Sequence, residues 1–223
     1  MRSMVEYLMH CGNDNTVANT ARVSMGDSTS WLELPMTYSE NQRDSLIVYL
    51  AREMHTSPFR HNCISIRGHV PLFIARQLGK HQVGMSWNEE SRRYVDSEPE
   101  FFDPTDQWRA RPAKSIKQGS GDLIPELDQF IINDLYDNVV NVSLGAYNTM
   151  LDMNVAPEQA RMVLPQSMMV NFIWTGSLMA FAHVYALRID QHAQKEARDF
   201  AKAIDVIVRP LFPKSWSALT GQQ

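Results

Sequence analysis

The amino-acid sequence predicts an α+β domain that is rich in helix. Apolar residues recur at helical spacing over most of the chain, one segment alternates with a period of two, and prolines and glycines separate the segments. At 223 residues, with 44% hydrophobic and 21% charged residues, the chain is long enough to bury a substantial core. We therefore expect a single domain over residues 1–223.

In the first half of the chain the periodicity predicts three helices and one strand. The helices are expected at 14–24, 41–54 and 71–82, the last of them opened by a proline, which is tolerated in a first helical turn. A polar stretch at 26–40 is typical of a loop. Residues 63–70 alternate apolar and polar side chains, which predicts a strand.

In the second half, six prolines and glycines among charged residues predict a long surface excursion at 95–125. Helical periodicity returns at 127–153, and a proline-opened helix is expected at 157–165. A last long helix is predicted for 177–208, ended by Pro210.

Composition excludes several classes of protein. A formal net charge of −4 argues against broad nucleic-acid binding, and no apolar run approaches the roughly 20 residues that span a membrane. The N-terminus has no secretory apolar stretch, so we expect a cytoplasmic protein. Cys11 and Cys63 are too few for a disulfide scaffold and have no zinc-site spacing, so no metal is expected and Cys63 is interpreted as a packed thiol.

The segment Arg76–Tyr94 has the highest density of hydrogen-bonding and charged side chains. Ser91, Arg92 and Arg93 form a pattern suited to a phosphate group, because arginine adds bidentate geometry to its charge. Gln77 has the paired donor and acceptor that a base edge requires. The alternative is a solvated helix end, in which the glutamates and arginines of the segment form surface ion pairs of little energetic value.

Three further features carry possible binding residues. Phe181, Tyr185, Arg188 and His192 are spaced by four, three and four residues, which predicts one helix face and the wall of a pocket. Alternatively, Arg188 pairs with an acidic residue in solvent and the aromatic side chains pack elsewhere.

A proline-containing turn at 55–61 could orient His55 and Ser57 toward a ligand, although a histidine in a turn is more often structural. Arg161 lies in an apolar segment and needs a buried partner or an anionic ligand.

These blocks, in this order, resemble the flavin-dependent thymidylate synthase family. The resemblance rests on ARVS, SPFRH, ARQ…NEESRRY, ARMVLP and LRIDQHAQ, and it covers most of the chain. It implies an α+β fold with a small antiparallel sheet and a homotetramer with active sites shared between subunits. It also implies a methyltransferase that forms dTMP from dUMP, with FAD as cofactor and NADPH and methylenetetrahydrofolate as co-substrates.

The resemblance also assigns site residues, with Arg188 as the catalytic cation that favours ionisation of the uracil N3 and Arg161 contributed by a neighbouring subunit. The implied dUMP contacts are Gln77, Lys80, Glu89, Glu90, Ser91, Arg92, Arg93, Arg161 and Arg188. The implied FAD contacts are His55, Ser57, Lys80, His81, Gln82, Glu89, Ser177, His183 and His192. No enzyme nucleophile is required, which agrees with the absence of an activated cysteine.

The sequence departs from the family signature, which is Arg-His-Arg, seven residues and Ser. Here the triplet is Lys80-His81-Gln82, and eight residues precede Ser91. Ser177 and Met179 stand where the family has Asn and Arg. Two alternatives therefore stay open: another flavin-dependent modification of a pyrimidine nucleotide, such as hydroxymethylation, and nucleotide binding without turnover.

Overall fold

A four-stranded antiparallel sheet forms the centre of the computed structural model, which describes residues 4–26, 32, 38–112 and 119–221. The strands are β1 (Val5–Cys11), β2 (Cys63–Pro71), β3 (Met85–Glu89) and β4 (Met169–Ser177), in the order β1-β2-β4-β3. All three neighbouring pairs are antiparallel. The predicted α+β class and antiparallel sheet are thereby confirmed, although the alternation in the sequence had predicted β2 alone.

Eight α-helices surround the sheet in the described part of the chain. They are α1 (Asp14–Arg22), α2 (Glu40–Arg52), α3 (Leu72–Leu78), α4 (Glu126–Asp152), α5 (Pro157–Ala160), α6 (Leu178–Arg188), α7 (Lys195–Leu211) and α8 (Pro213–Thr220). Short 3₁₀ turns occupy Val23–Met25, Ser57–Arg60 and Arg161–Val163. None of the described helices is both long and apolar enough to cross a membrane.

One face of the sheet is buried beneath α6 and α7. Ile66 on β2 lies opposite Trp174 on β4, and both side chains are fully buried. Gly68 is required beside them, because a Cβ there would lie 2.0 Å from the Phe172 ring. The contiguous core runs from Val5 to Trp216, so the first strand and the last helix pack on the same sheet.

The prediction of a single helix over 177–208 is wrong. Residue 177 ends β4, α6 stops at Arg188, and α7 begins only at Lys195. The chain turns between them because the Asp190 carboxylate accepts the backbone N–H of His192 at 2.7 Å, which replaces a helical hydrogen bond. Pro210 lies inside the last turn of α7 and does not end it; the break follows one residue later.

The boundaries of the other predicted elements lie closer to those in the structure. The helix expected at 71–82 ends at 78, and the one expected at 157–165 is a single turn of α-helix followed by a 3₁₀ turn. The described part of 95–125 is an irregular excursion without helical turns; an isolated bridge between Phe101 and Met168 ties it to the rest of the protein. Most of the predicted loop at 26–40 lies outside the described residues.

Candidate active site

A cavity of about 610 Å³ lies between α3, the turn that follows it, and β3. Apolar side chains and the polar segment after α3 form its walls. The lining residues are Leu72, Ala75, Arg76, Gly79, Lys80, His81, Gln82, Met85, Trp87 and Glu89. A second cavity of about 620 Å³, between α2 and α8, contains none of the site residues predicted from the sequence. The first cavity is therefore the candidate site.

The turn from Lys80 to Gly84 shapes one end of this cavity. At the end of helix α3, the backbone N–H of Gly79 donates to the carbonyl of Ala75 at 2.8 Å. The backbone N–H of His81 then donates to the carbonyl of Leu78 at 3.0 Å, which forms the turn. Gly84 adopts a φ of 71°, which favours glycine, and leads directly into β3. The tight reversal leaves Lys80 and Gln82 exposed at the cavity mouth while His81 points inward.

Arg188, the last residue of α6, reaches this turn from the other side. Its Nε donates to Nε2 of His81 at 3.0 Å, and its Nη2 donates to the carbonyl of Gln77 at 3.2 Å. Desolvation lowers the pKa of Arg188 from its ordinary value. A guanidinium held in partly buried surroundings without a carboxylate among these contacts has a strong tendency to bind an anion.

His81 is neutral at physiological pH. Burial, reinforced by the positive charge of Arg188 and by His183, lowers the pKa of His81 to about 4. Because the guanidinium can only donate, Nε2 is the acceptor and the ring proton lies on Nδ1. His81 can therefore offer one N–H to a ligand.

The opposite end of the cavity is formed by Glu89, the last residue of β3. Desolvation raises the pKa of Glu89, and a hydrogen bond from the Trp87 indole at 3.2 Å partly opposes that shift. The Trp87 ring stacks on Phe172 with 3.7 Å between ring centroids, which fixes the position of the indole. The carboxylate is thus held by a rigid aromatic neighbour.

Gln77 connects the candidate site to α7. Its side-chain amide donates to Oε1 of Gln194 at 2.6 Å, and Gln194 is the N-cap of α7. This bond orients both side-chain amides, and the NH2 group of Gln77 faces α7.

Ser91, Arg92 and Arg93 lie beyond the far end of β3 from the Lys80–Gln82 turn. Ser91 Oγ accepts from the backbone N–H and from Nε of Arg93, both at 3.3 Å, so these two residues form a unit. Arg92 is buried instead and donates from Nη1 to the carbonyl of Ser97. Glu90 accepts from Nδ2 of Asn171 at 2.7 Å on the neighbouring strand.

Other predicted residues lie around, not in, the cavity lining. Ser177 caps α6 by accepting from the N–H of Ala180 at 3.2 Å, and it lies next to Gly84. His183 is exposed on α6. The 3₁₀ turn that begins at Ser57 contacts α6, and His55 packs edge-on against Tyr49.

Arg161 begins the 3₁₀ turn that follows α5. It is exposed, its Nε donates to the carbonyl of Glu158 at 3.2 Å, and its turn contacts α4 and α5. A buried partner, one of the two explanations offered by the sequence, is therefore absent from its described contacts. An anionic ligand is the other explanation.

The helix face predicted to carry Phe181, Tyr185, Arg188 and His192 does not form. Phe181 and Tyr185 are buried in the core, and His192 lies in the connection after α6, where it is exposed. The aromatic side chains pack against Trp174 and Trp216, so they are core residues and do not line a pocket. Arg188, in contrast, hydrogen-bonds His81, which lines the cavity.

Comparison with known proteins identifies the family. The sequence profile of the family described as thymidylate synthase complementing protein (Thy1) matches residues 5–214. The flavin-dependent thymidylate synthase of Thermus thermophilus is 33% identical over 217 residues, which are 97% of this chain and 75% of the relative. That of Treponema denticola is 34% identical over 212 residues, 94% of this chain and 75% of the relative.

The chain belongs to the flavin-dependent thymidylate synthase family.

A solved structure agrees with this membership in the flavin-dependent thymidylate synthase family. The UMP/dUMP methylase PolB from Streptomyces cacaoi, bound with 5-Br dUMP, superposes with a TM-score of 0.84. It is 27% identical and covers 97% of this chain and 94% of its own. The fold is therefore the same over nearly the whole length of both proteins.

Relative to the flavin-dependent thymidylate synthase signature, the structure places the departures at the cavity mouth. Lys80 and Gln82, which replace two arginines, are both exposed, whereas the unchanged histidine is the residue that bonds Arg188. The substitutions thus alter the solvent side of the site and leave its inner contact in place.

Two residues that orient the site were not predicted from the sequence. Trp87 orients Glu89, and Gln194 orients Gln77. Met85, Trp87 and Glu89 alternate with polar residues over β3, and this period of two could have revealed both the strand and the face that lines the cavity. Gln194 has no comparable signal, since its role depends on the packing of α7 against α3.

Proposed function

We propose that this enzyme forms dTMP from dUMP, with methylenetetrahydrofolate as carbon donor, FAD as redox cofactor and NADPH as reductant. The observation that carries the proposal is the desolvated guanidinium of Arg188, which is fixed by the Gln77 carbonyl and by His81, a residue that lines the cavity. Membership of the flavin-dependent thymidylate synthase family supports the same reaction.

Arg188 is the catalytic residue of the proposal. Two of its donors are engaged by His81 and the Gln77 carbonyl, so the remaining N–H groups are held in a fixed direction. A fixed cation stabilises negative charge that develops on a bound uracil ring, and a uracil anion is the more nucleophilic at C5. The enzyme thereby activates the carbon that receives the new group without forming a covalent bond to it.

The cavity fits a flavin because it combines apolar walls with a set of hydrogen-bond donors. Trp87, Met85 and Ala75 offer surfaces for a planar ring, and His81 Nδ1–H, Lys80 and Gln82 offer donors to its polar edge and phosphates. We assign His55, Ser57, Glu89, Ser177, His183 and His192 to the same cofactor. When bound, FAD supplies hydride transfer; the residues of this chain hold it, orient it and exclude water.

The phosphate of dUMP is assigned to Ser91 and Arg93, which already form a unit. Arg92 is a positioning residue, because it is buried and holds the Ser97 carbonyl. Strand β3 separates this unit from His81, and its five residues span roughly 17 Å at about 3.4 Å each. That span exceeds the distance from base to phosphate in one nucleotide, which supports active sites completed by a second subunit.

The surface of α4 supports the proposed homotetramer, in which such sites would be shared. Most of its large apolar residues are exposed, namely Leu127, Phe130, Ile131, Leu135, Val139 and Val142. A continuous apolar surface of this kind is typical of an interface between subunits. The exposed Arg161 directly follows α5, which begins five residues after the end of α4, so assembly through α4 would bring its charge to a neighbour's site.

Incubation of purified protein with FAD, NADPH, methylenetetrahydrofolate and a nucleotide tests the function. Mass spectrometry of the product should give dTMP from dUMP. If FAD and dUMP both bind but no dTMP forms, the proposal is overturned. The alternative function of nucleotide binding without turnover would then remain. A hydroxymethylated product would instead establish the alternative modification.

UMP is a second candidate substrate, because the similar structure PolB is a UMP/dUMP methylase. The same assay with UMP decides whether the ribose 2′-hydroxyl is accepted. The single domain over residues 1–223 and the cytoplasmic location stay predictions, and cell fractionation tests the latter.

A further inference from the structure

Two cysteines that are distant in sequence meet at one end of the sheet. Cys11 ends β1, Cys63 begins β2, and the antiparallel register places them directly opposite each other. Their sulfur atoms are 3.1 Å apart although the residues are separated by 52 positions. Directly opposite residues of an antiparallel pair have Cα atoms about 4.5–5.5 Å apart, which is within the range that a disulfide bond requires.

The two thiols differ in their surroundings. Cys11 is exposed, whereas Cys63 is partly buried. The hydrogen bond with Cys11, followed by desolvation and by the charge of the Cys11 thiolate, raises the pKa of Cys63. Cys11 is therefore the sulfur that a dissolved reagent reaches first, and Cys63 is the sulfur placed to react second.

We propose that Cys11 and Cys63 form a reversible disulfide with small-molecule disulfides of the glutathione class. The Cys11 thiolate attacks one sulfur of the oxidant, forms a mixed disulfide and releases one thiol. The Cys63 thiolate then attacks the Cys11 sulfur, forms the intramolecular bond and releases the second thiol. Both cysteines are oxidised by two electrons in total, the oxidant is reduced to two thiols, and each protein proton is passed to a leaving thiolate.

The bond would close the loop that carries α1 and α2. Gly12, next to Cys11, has a φ of 86° and packs against Asn62, next to Cys63; a Cβ on Gly12 would lie 2.0 Å from Oδ1 of that asparagine. The two chain segments are therefore already in close contact on both sides of the sulfur pair. A cross-link there restricts the unfolded chain and leaves the native contacts in place, so the oxidised protein should be the more stable form.

The test is a titration of the full-length protein in glutathione redox buffers. The expected result is the loss of both thiols per chain together, a linked peptide containing Cys11 and Cys63 in a non-reducing digest, and a higher thermal midpoint that dithiothreitol reverses. The variants C11S and C63S should each lose this shift. The proposal is overturned if both thiols persist in oxidised buffer, if glutathione stays attached to Cys11 in the wild type, or if the disulfide joins two chains.

The peptide digest uses the wild-type protein alone, so the test does not depend on the folding of a variant. In C63S the exposed Cys11 should retain glutathione as a stable adduct, which distinguishes the two steps. These readouts are independent of catalysis and therefore of the proposed function.

Discussion

Arg188 and His81 fix each other at the centre of the candidate site. The 3.0 Å hydrogen bond from Nε of the arginine to Nε2 of the histidine places the ring proton on Nδ1. The two residues are 107 positions apart in sequence and meet where α6 ends beside the turn after α3. A cation and a neutral donor are thus presented side by side.

Replacing Arg188 should remove most of the activity and preserve the fold. In R188K the ammonium cannot donate in two fixed directions, so we expect kcat to fall by about 10²–10³-fold, as for the loss of a preorganised electrostatic donor. Steady-state kinetics with dUMP measures the effect. Arg52→Lys, at an exposed arginine of α2, is the matched control and should retain wild-type kcat. Equal losses in both variants would show that the effect is not specific to the site.

The protonation of His81 should make the protein less stable in acid. Its pKa of about 4 in the folded protein lies below the ordinary value of 6.5, so the unfolded chain binds more protons between these pH values. Stability is full above about pH 6.5 and decreases as the pH falls toward 4, by roughly 1–2 kcal/mol after allowance for solvent screening. Denaturant unfolding of wild type and H81Q across this range measures the difference.

The glutamine variant supplies the control for that titration, because its amide oxygen can still accept from Arg188 but does not titrate. The stability of H81Q should therefore vary less with pH in this window. Nuclear magnetic resonance should find the His81 ring neutral, with the proton on Nδ1, at pH 6. A charged ring at that pH contradicts the interpretation.

Arg93 should affect binding of the substrate phosphate more than turnover. Its guanidinium lies with Ser91 beyond the end of β3, away from the Arg188–His81 pair. We expect R93K to raise KM for dUMP about 10-fold, since the bidentate geometry is lost, and to change kcat little. The neighbouring variant R92K should instead lower the thermal midpoint, because Arg92 is buried against Ser97. If R92K raises KM and R93K lowers the thermal midpoint instead, the assignment of the phosphate to Arg93 is wrong.

Charge on the apolar surface of α4 should disrupt the assembly. Phe130 and Leu135 are 72% and 61% exposed, and F130E/L135E places two carboxylates where subunits are proposed to meet. Light scattering should find a tetramer for the wild type and smaller species with low activity for the variant. V206E, at an apolar side chain that is 74% exposed on α7, should stay tetrameric. A monomeric wild type with full activity contradicts shared sites.

Local patterns in the sequence predict some elements and miss others for physical reasons. The strand β2 and helices α1, α2 and α4 follow from the periodicity of their apolar residues, although many of those on α4 are exposed. Strands β1 and β4 were missed although β4 alternates, because its apolar side chains also occur near helical spacing in MVNFIWTGS. The end of α6 was missed because it depends on one side chain, Asp190, which competes with the helix for a backbone N–H.

The sequence predicts which residues belong to the candidate site but not how they contact one another. The resemblance names Gln77, His81 and Arg188, but only the packing of α6 on the sheet reveals that the guanidinium bonds the histidine. The proximity of Cys11 and Cys63 likewise depends on strand register, which no local pattern encodes.

The release of tritium from dUMP labelled at C5 tests the central claim most directly. Replacement of the C5 hydrogen by a methyl group frees that hydrogen, so the flavin-loaded protein with NADPH and methylenetetrahydrofolate should release tritium in step with the dTMP formed. R188K should slow both to the same extent. Release of no tritium by a protein that binds both FAD and dUMP would contradict the proposed activation of C5 by Arg188.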